Sequence, residues 1–227
     1  MKVCILQPHF LPFIGYFELM KNSNVFVFYD SAQFVKSGWH SRTPIFENNL
    51  VNWLTVPVQN KNHYKNKINQ MNLVQDNKWK EKISRRLSAN YHHNCDKIFL
   101  NTIVQILNEH QLFLSNLNIK LINYISNYLN LEVQFFNTSE LEIKANERQE
   151  KILEICQYFN AETYICGTGS KFYISEDYFL NNGITVKWVN YDYNYWGKNK
   201  LGEKIYPSII DVILRKGKDF TINEFKK

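Results

Sequence analysis

Residues 4–30 read CILQPHFLPFIGYFELMKNSNVFVFYD and contain two short apolar runs separated by a proline-containing loop and a segment that starts at Gly15. The first run stops where Pro8 removes a backbone donor, which is typical of a buried strand, and the second run ends on Asp30. The segment from Gly15 predicts a helix. Strand, helix and strand form a βαβ unit, which builds parallel sheets that bind ligands outside the carboxyl ends of their strands. We therefore expect Gln7 and Asp30 at that edge.

The same alternation returns in the C-terminal part of the chain. The pattern predicts a helix over 147–159, a strand over 163–166, a helix over 171–181 and a strand over 185–189. Residues 36–58 predict a hairpin-bearing insertion, and apolar residues at three and four spacing predict two or three helices within 77–131. No repeat or linker divides the chain. The sequence thus predicts one α/β domain over residues 1–227, a Rossmann-like parallel sheet flanked by helices, with the helical insertion at 77–131.

Composition restricts the class of function. The 227 residues are 44% hydrophobic and 21% charged, which is enough apolar material for a full core. The 27 basic against 21 acidic residues give a net charge of +6, but the basic residues are spread thinly and form no stripe. This argues against a genomic DNA partner and favours an anionic small substrate or a phosphate-bearing carrier. No run approaches the ~18 to 20 apolar residues of a membrane helix or resembles a signal peptide, so we expect no membrane span and a cytoplasmic protein.

Cysteines and histidines show no metal-ligand spacing. The four cysteines lack a C-x-x-C pair, and we expect buried free thiols at Cys4, Cys95, Cys156 and Cys166. The histidines outside the N-terminal loops lack a third ligand at fixed spacing; they are His63, His92, His93 and His110. We expect no bound metal, and no hydrolase signature is present.

The loop between the first strand and the first helix is a candidate anion site. Two prolines and Gly15 fix its path, and unpaired N–H groups at a helix start attract anions. A rigid turn with aromatic core residues explains the same pattern equally well.

The stretch that follows the second strand mixes charged, aromatic and titratable side chains. Arg42 can grip a phosphate or carboxylate, Trp39 can stack on a base or sugar, and His40 can exchange protons near neutral pH. Lys36 adds a positive charge. The alternative is a solvated loop with one buried tryptophan.

Three further segments have both a functional and a structural interpretation. Gly167 and Gly169 lie between a strand and a helix, in a phosphate-binding loop or a simple tight turn. Tyr191 opens a polar aromatic cluster, which is either a sugar platform or a loop packed on the core. Ser208 and Asp211 either contact substrate or form a helix cap, because Ser followed three residues later by an acid resembles a capping box.

Several of these elements together resemble the WbqC-like proteins, a family associated with genes for bacterial surface polysaccharide. The elements are Gln7-Pro8, Leu11-Pro12, Gly15-Tyr16-Phe17, Phe28-Tyr29-Asp30, Lys36, Trp39, Arg42, residues 53–58, Ser139-Glu140-Leu141, Gly167-x-Gly169, Tyr173 and residues 207–211. The resemblance spans nearly the whole chain. It departs from the family at Trp39-His40-Ser41-Arg42-Thr43, where the family has W-x-N-R-N, and around Tyr193-Asn194, where the family has histidine-proline.

A second, remote similarity links the loop and Gly15 to the nucleotide-binding entry of the HIGH-motif nucleotidyltransferases. There the glycine lets a nucleotide approach the helix. Phe13 and Tyr16 stand where that superfamily has its two phosphate-contacting histidines. The similarity therefore implies nucleotide binding without adenylyl or cytidylyl transfer by the usual route.

The resemblance to the WbqC-like proteins implies an enzyme of surface polysaccharide precursor synthesis that acts on a nucleotide-linked amino sugar. We expect N-acyl or aminoacyl transfer from an acyl carrier, coenzyme A or a tRNA-type aminoacyl donor. In this picture residues 7–15 and the Gly167 turn hold the pyrophosphate, Arg42 and Lys36 neutralise it, and Trp39 stacks. The general base is His40, His9 or Asp30.

Two other functions stay open at this stage. One is a nucleotidyltransferase-like enzyme that uses a nucleoside triphosphate. The other is a non-catalytic protein that binds a nucleotide sugar or a carrier for a partner enzyme. The sequence leaves the oligomeric state, the sugar and the donor open.

Overall fold

The computed structural model describes residues 1–47, 50–59, 65–91, 96–199 and 201–225. The strands are β1 (Lys2–Leu6), β2 (Val25–Phe28), β3 (Arg42–Glu47), β4 (Leu50–Thr55), β5 (Gln134–Asn137), β6 (Thr163–Gly167), β7 (Thr185–Val189), β8 (Gly197–Lys198) and β9 (Lys204–Ile205). The α-helices are α1 (Ile14–Lys21), α2 (Lys78–Asn90), α3 (Lys97–Asn108), α4 (Leu114–Tyr128), α5 (Arg148–Tyr158), α6 (Glu176–Asn181), α7 (Ile209–Lys216) and α8 (Lys218–Glu224). The predictions for His63, His92, His93 and Cys95 fall outside the described residues.

Five strands form one parallel sheet in the order β5-β2-β1-β6-β7. In register, Leu6 lies opposite Phe28, and Gly167 lies opposite Val189. The chain adds strands to one side of β1 and then to the other, so the strand order reverses between β1 and β6. Open α/β sheets bind ligands outside the carboxyl ends of their strands at such a switch point. The predicted Rossmann-like α/β fold is confirmed.

By backbone contacts the described residues divide into two compact units. The sheet unit comprises Met1–Gln7, Gly15–Ser31 and Asn130–Asp192 and contains the whole parallel sheet. The hairpin unit comprises Pro8–Ile14, Ala32–Leu129 and Tyr193–Lys227. A single domain with an insertion at 77–131 stays a prediction.

The core of the sheet unit is built from the apolar runs that the sequence showed. Its buried members include Val3, Ile5, Val25, Val27, Ile152, Cys156, Cys166 and Phe179. Removal of such side chains from water supplies most of the stabilisation of a fold. Cys4, Cys156 and Cys166 are free and buried, as predicted, and burial raises the pKa of Cys166 to about 12.

The hairpin unit contains the antiparallel pair β3–β4 and three helices within the predicted helical segment. Within the predicted hairpin segment 36–58, β4 runs over Leu50–Thr55 and ends before Pro57, which has no backbone donor. The helix predicted over 171–181 is shorter, because Ser175 caps α6 by accepting a hydrogen bond from the Tyr178 amide at 3.3 Å. Every helix among the described residues is too short or too polar to traverse a lipid bilayer.

Candidate functional site at the carboxyl edge of the sheet

The candidate residues divide between the two units. The sheet unit holds Gln7, Gly15, Asp30, Gly167, Gly169, Tyr173 and Tyr191. The hairpin unit holds His9, Lys36, Trp39, His40, Arg42, Ser208 and Asp211.

Gln7 and Gly167 mark the switch point of the sheet, because Gln7 follows β1 and Gly167 ends β6. The hydroxyl of Tyr191 occupies the space beside Gly167, where an added Cβ atom would meet it at 2.4 Å. Burial raises the pKa of Tyr191, with smaller contributions from Cys4 and other acidic groups nearby. Tyr191 is thus a neutral hydroxyl at the carboxyl edge of the sheet.

Arg148 is a cation at this edge that no sequence motif singled out. It begins α5, and its guanidinium carbon lies 3.9 Å from the centre of the Tyr173 ring. The Tyr173 hydroxyl is 2.7 Å from the Ser170 hydroxyl. Burial raises the pKa of Tyr29, and the charge of Arg148 opposes that shift, so Arg148 also lies near Tyr29. A cation in the first turn of a helix opposes the helix dipole, and this unfavourable placement was the signal that the sequence offered.

Two side chains fix the segments before and after Arg148 by hydrogen bonds. The Gln149 side-chain oxygen accepts from the Ser175 amide at 2.7 Å, which ties the start of α5 to the end of the loop after β6. The Glu154 carboxylate accepts from the Lys144 and Ala145 amides at 3.0 and 2.7 Å. These backbone hydrogen bonds lower the pKa of Glu154. The segments before and after Arg148 are therefore both fixed.

Asp30 follows β2 and is only 4% exposed. Its carboxylate accepts hydrogen bonds from the Thr138 hydroxyl at 2.9 Å, the Ser139 amide at 2.9 Å and the Ser139 hydroxyl at 2.5 Å. These bonds connect the ends of β2 and β5. One oxygen accepts the bonds from the Thr138 hydroxyl and the Ser139 amide, and the other accepts the bond from the Ser139 hydroxyl. The role of Asp30 as a base stays a prediction, and its contacts favour a structural role.

Gly15 and Gly169 have different surroundings. Gly15 is buried within α1. Its neighbour Tyr16 is 1% exposed and donates its hydroxyl to the Gln7 carbonyl at 3.0 Å, so this hydroxyl does not replace a phosphate-contacting histidine. Gly169 is exposed, and an added Cβ atom would meet nothing within 4 Å.

In the hairpin unit, His9 and His40 lie together, with ring centres 5.4 Å apart. The side-chain amide of Asn118 donates to the Pro8 and His40 carbonyls at 3.0 and 2.8 Å. Burial lowers the pKa of His9 to about 3, with a further contribution from His40, and lowers the pKa of His40 to about 4. Both imidazoles are neutral at pH 7 and are weak proton acceptors. Their assignment as bases stays a prediction.

Trp39 and Arg42 both contact Trp53, a residue to which the sequence analysis assigned no role. The Arg42 guanidinium carbon lies 4.4 Å from the centre of the Trp53 ring, and the rings of Trp39 and Trp53 are 5.4 Å apart. Lys36 is exposed in the turn that precedes Trp39. Of the predicted residues Lys36, Trp39 and Arg42, the structure thus brings Trp39 and Arg42 into one cluster with Trp53.

Ser208 and Asp211 begin α7. The Ser208 hydroxyl accepts from the Ile210 amide at 3.4 Å, which makes Ser208 the N-cap. The reciprocal half of the suggested capping box is absent, because the Ser208 amide donates to the Pro44 carbonyl. Asp211 is fully buried and accepts from the Phe46 amide at 2.5 Å and from Arg215 Nε at 2.7 Å. Burial raises the pKa of Asp211, and these two donors oppose the shift.

Metal ligation finds no support among the described residues, which contain no group of three or more His, Cys, Asp or Glu side chains able to hold an ion. The groups described at the sheet edge are hydroxyls, the exposed Arg148 guanidinium and backbone amides at the end of β6. Such a set binds and orients an anion.

Comparison with known proteins adds a family and a relative. A profile of the WbqC-like protein family matches residues 7–222. A protein of Mycobacterium tuberculosis (strain ATCC 25618 / H37Rv), named Uncharacterized protein Rv1507c, is 32% identical over 222 residues, which cover 95% of this chain and 94% of the relative. No solved structure matches the chain significantly. The resemblance inferred from the sequence is confirmed: this chain belongs to the WbqC-like protein family.

Proposed function

We propose that this protein binds the diphosphate of a nucleotide-linked amino sugar at the carboxyl edge of its parallel sheet and transfers an acyl or aminoacyl group to the sugar amine. The observation that carries the proposal is the position of Arg148, a cation held over Tyr173 at the edge where the strand order reverses. An arginine fork matches the oxygens of a phosphate, and this edge is the usual ligand site of such sheets.

The loop after β6 supports the same assignment. Gly167 ends its strand against the Tyr191 hydroxyl, and the turn Thr168–Ser170 follows directly. Ser170 and Tyr173 supply hydroxyl groups near the guanidinium, and Tyr191 supplies a hydroxyl beside Gly167. A diphosphate needs several donors at once, because each of its oxygens gives up water on binding.

The choice of substrate class rests on the resemblance described above, which implies precursors of bacterial surface polysaccharide, and acyl or aminoacyl transfer is the reaction that we expect on such a precursor. In the transfer, the amine nitrogen attacks the acyl carbonyl, a new C–N bond forms, and the bond from that carbon to the sulfur or oxygen of the donor breaks. The amine gives up a proton to a base, and the donor leaves as a thiol or an alcohol. Asp30 is the candidate base within the sheet unit.

The test is a thermal-shift screen with uridine diphosphate linked to an amino sugar, the same nucleotide linked to a neutral sugar, and nucleoside triphosphates with Mg²⁺. A bound ligand at 100 times its Kd raises stability by about 2.7 kcal/mol. We expect the amino sugar nucleotide to shift the unfolding temperature and Arg148→Ala to abolish the shift. Arg85→Ala, which removes an equal charge from an exposed position on α2, is the matched control.

Mass spectrometry of the nucleotide sugar after incubation with acyl-coenzyme A, acyl carrier protein or aminoacyl-tRNA then tests the transfer. We expect a mass increase equal to the acyl group. A shift with triphosphates alone, accompanied by pyrophosphate release, would replace this proposal with nucleotidyl transfer. Stoichiometric binding without product from any donor would identify a non-catalytic binding protein.

A further inference from the structure

Two indole rings lie in contact at the surface of the hairpin unit. Trp39 is 42% exposed and Trp53 is 37% exposed, and their ring centres are 5.4 Å apart at an interplanar angle of 54°. A single exposed aromatic residue is ordinary, but two in contact form a larger apolar surface, and a planar ring can stack on the face of either indole.

Arg42 adds a directed positive charge to this surface. Its guanidinium carbon lies 4.4 Å from the centre of the Trp53 ring, a distance at which the charge and the ring attract each other. Among the described residues no carboxylate pairs with Arg42, whereas Arg86 and Arg215 both pair with one. A stacked guanidinium without a protein carboxylate is preorganised for the oxygens of a phosphate.

Arg42 and Trp53 lie on the antiparallel pair β3–β4. Arg42 pairs with Thr55 and Pro44 pairs with Trp53 in the β3–β4 register, so Arg42 and Trp53 are diagonal neighbours on one face. Arg86 of α2 donates to the Trp53 carbonyl at 2.9 Å and to both carboxylate oxygens of Glu47 at 3.0 and 2.6 Å. A ligand therefore meets side chains that are already ordered, which lowers the entropic cost of binding.

We propose that Arg42, Trp39 and Trp53 form a second binding site, which takes a nucleoside phosphate. Arg42 binds the phosphate, Trp39 stacks on the base, and Trp53 holds the guanidinium in place. The site goes beyond the proposed function, because it uses no residue of the sheet edge. Its ligand is a free nucleotide or the nucleotide part of a larger donor such as coenzyme A.

Intrinsic fluorescence tests this site, because the chain has five tryptophans and two of them form the site. The titrants are adenosine monophosphate, coenzyme A, adenosine and ribose 5-phosphate, each added to the intact protein and to Arg148→Ala, which removes the sheet-edge contact. We expect adenosine monophosphate to quench the fluorescence with the same Kd in both proteins. Tighter binding of coenzyme A would identify the larger donor as the source, and equal or weaker binding a free nucleotide.

Variants of the site distinguish the contribution of phosphate binding from that of base stacking. We expect Arg42→Ala to raise the Kd about tenfold or more, and Arg42→Lys to raise it as well, because a lysine keeps the charge but loses the fork. Trp39→Phe and Trp53→Phe should reduce the quenching. The control pair is Trp196, 41% exposed, and Lys204, whose ammonium lies 5.0 Å from the Trp196 ring. Trp196→Phe and Lys204→Ala should leave the Kd unchanged.

Any one of four results would overturn the proposal. The first three are an unchanged Kd in Arg42→Lys and Arg42→Ala with native circular dichroism, a loss of quenching in Trp196→Phe alone, and ribose 5-phosphate binding as tightly as adenosine monophosphate. The fourth is an absence of quenching by every nucleotide. Tryptophan quenching reports on the Arg42 site, whether or not Arg148 is present. A negative result in this titration would therefore leave the sheet-edge proposal in place, and failure of the sheet-edge proposal would leave this one in place.

Discussion

The hydroxyl of Tyr191 fills the space in which a side chain at Gly167 would begin, because an added Cβ atom would lie 2.4 Å from that oxygen and 3.2 Å from the ring carbon that carries it. The end of β6 and the residues after β7 are thus fitted to each other at the candidate site. A glycine that the sequence suggested for phosphate binding has a steric reason to be glycine.

Gly167→Ala should therefore destabilise the protein by about 1–3 kcal/mol, since an added methyl group forces the Tyr191 side chain to move. Urea unfolding measures the change. Gly169→Ala is the matched control and should have little effect, because nothing lies within 4 Å of its added Cβ atom. Adding Tyr191→Phe to Gly167→Ala should recover part of the loss, and no recovery would contradict the steric explanation.

Asp30→Asn should destabilise the protein by about 1–3 kcal/mol, because an amide group cannot accept all the hydrogen bonds that Thr138 and Ser139 donate to the carboxylate. Ser139→Ala removes one donor and should cost about 1 kcal/mol. Denaturant unfolding of both variants checks the structural role. If Asp30→Asn kept full stability yet lost transfer activity, the residue would be the base rather than a connection between strands.

Stability should fall as the pH drops below about 6.5, the unperturbed pKa of histidine. The pKa values of His9 and His40 are lowered to about 3 and about 4 in the folded protein, so the unfolded chain takes up protons first. Each histidine then contributes a loss of about 2 kcal/mol at pH 5, and none above pH 6.5. Urea unfolding at pH 7 and pH 5 should show a smaller difference for His40→Gln, whereas the exposed His110→Gln should match the parent protein.

Arg215→Ala should destabilise the protein by about 3 kcal/mol or more, because it leaves the buried Asp211 carboxylate without its cation. The same substitution also removes the hydrogen bonds from Arg215 to the Phe46 carbonyl and to Asn90. A double variant, Asp211→Asn with Arg215→Met, should cost less than the sum of the single changes. A purely additive result in this cycle would show that the two side chains do not act together.

The sequence was sufficient to predict the βαβ unit at the N-terminus and the later strands β6 and β7. Strand β7, TVKWV, follows Gly183 and alternates exposed and buried residues, whereas β1, β2 and β6 are short apolar runs. Burial on both faces leaves such runs with a continuous apolar pattern that is easily read.

Strand β5 and Arg148 were missed for related physical reasons. Strand β5 has four residues, QFFN, none of them fully buried, and it lies at the edge of the sheet, so its pattern was too weak to separate from a loop. The significance of Arg148 depends on its contact with Tyr173, which follows in the next strand-to-helix loop. The spacing of residues along the chain does not reveal a contact between two side chains that come from different elements.

The sheet unit is assembled from separate parts of the chain, and this has a consequence for its synthesis. Strands β1 and β2 leave the ribosome first, but the strands that flank them begin only at Gln134 and Thr163. During the interval both strands have unpaired backbone edges, which are prone to pair with other chains. The nascent protein is therefore most exposed to aggregation until β6 has been translated.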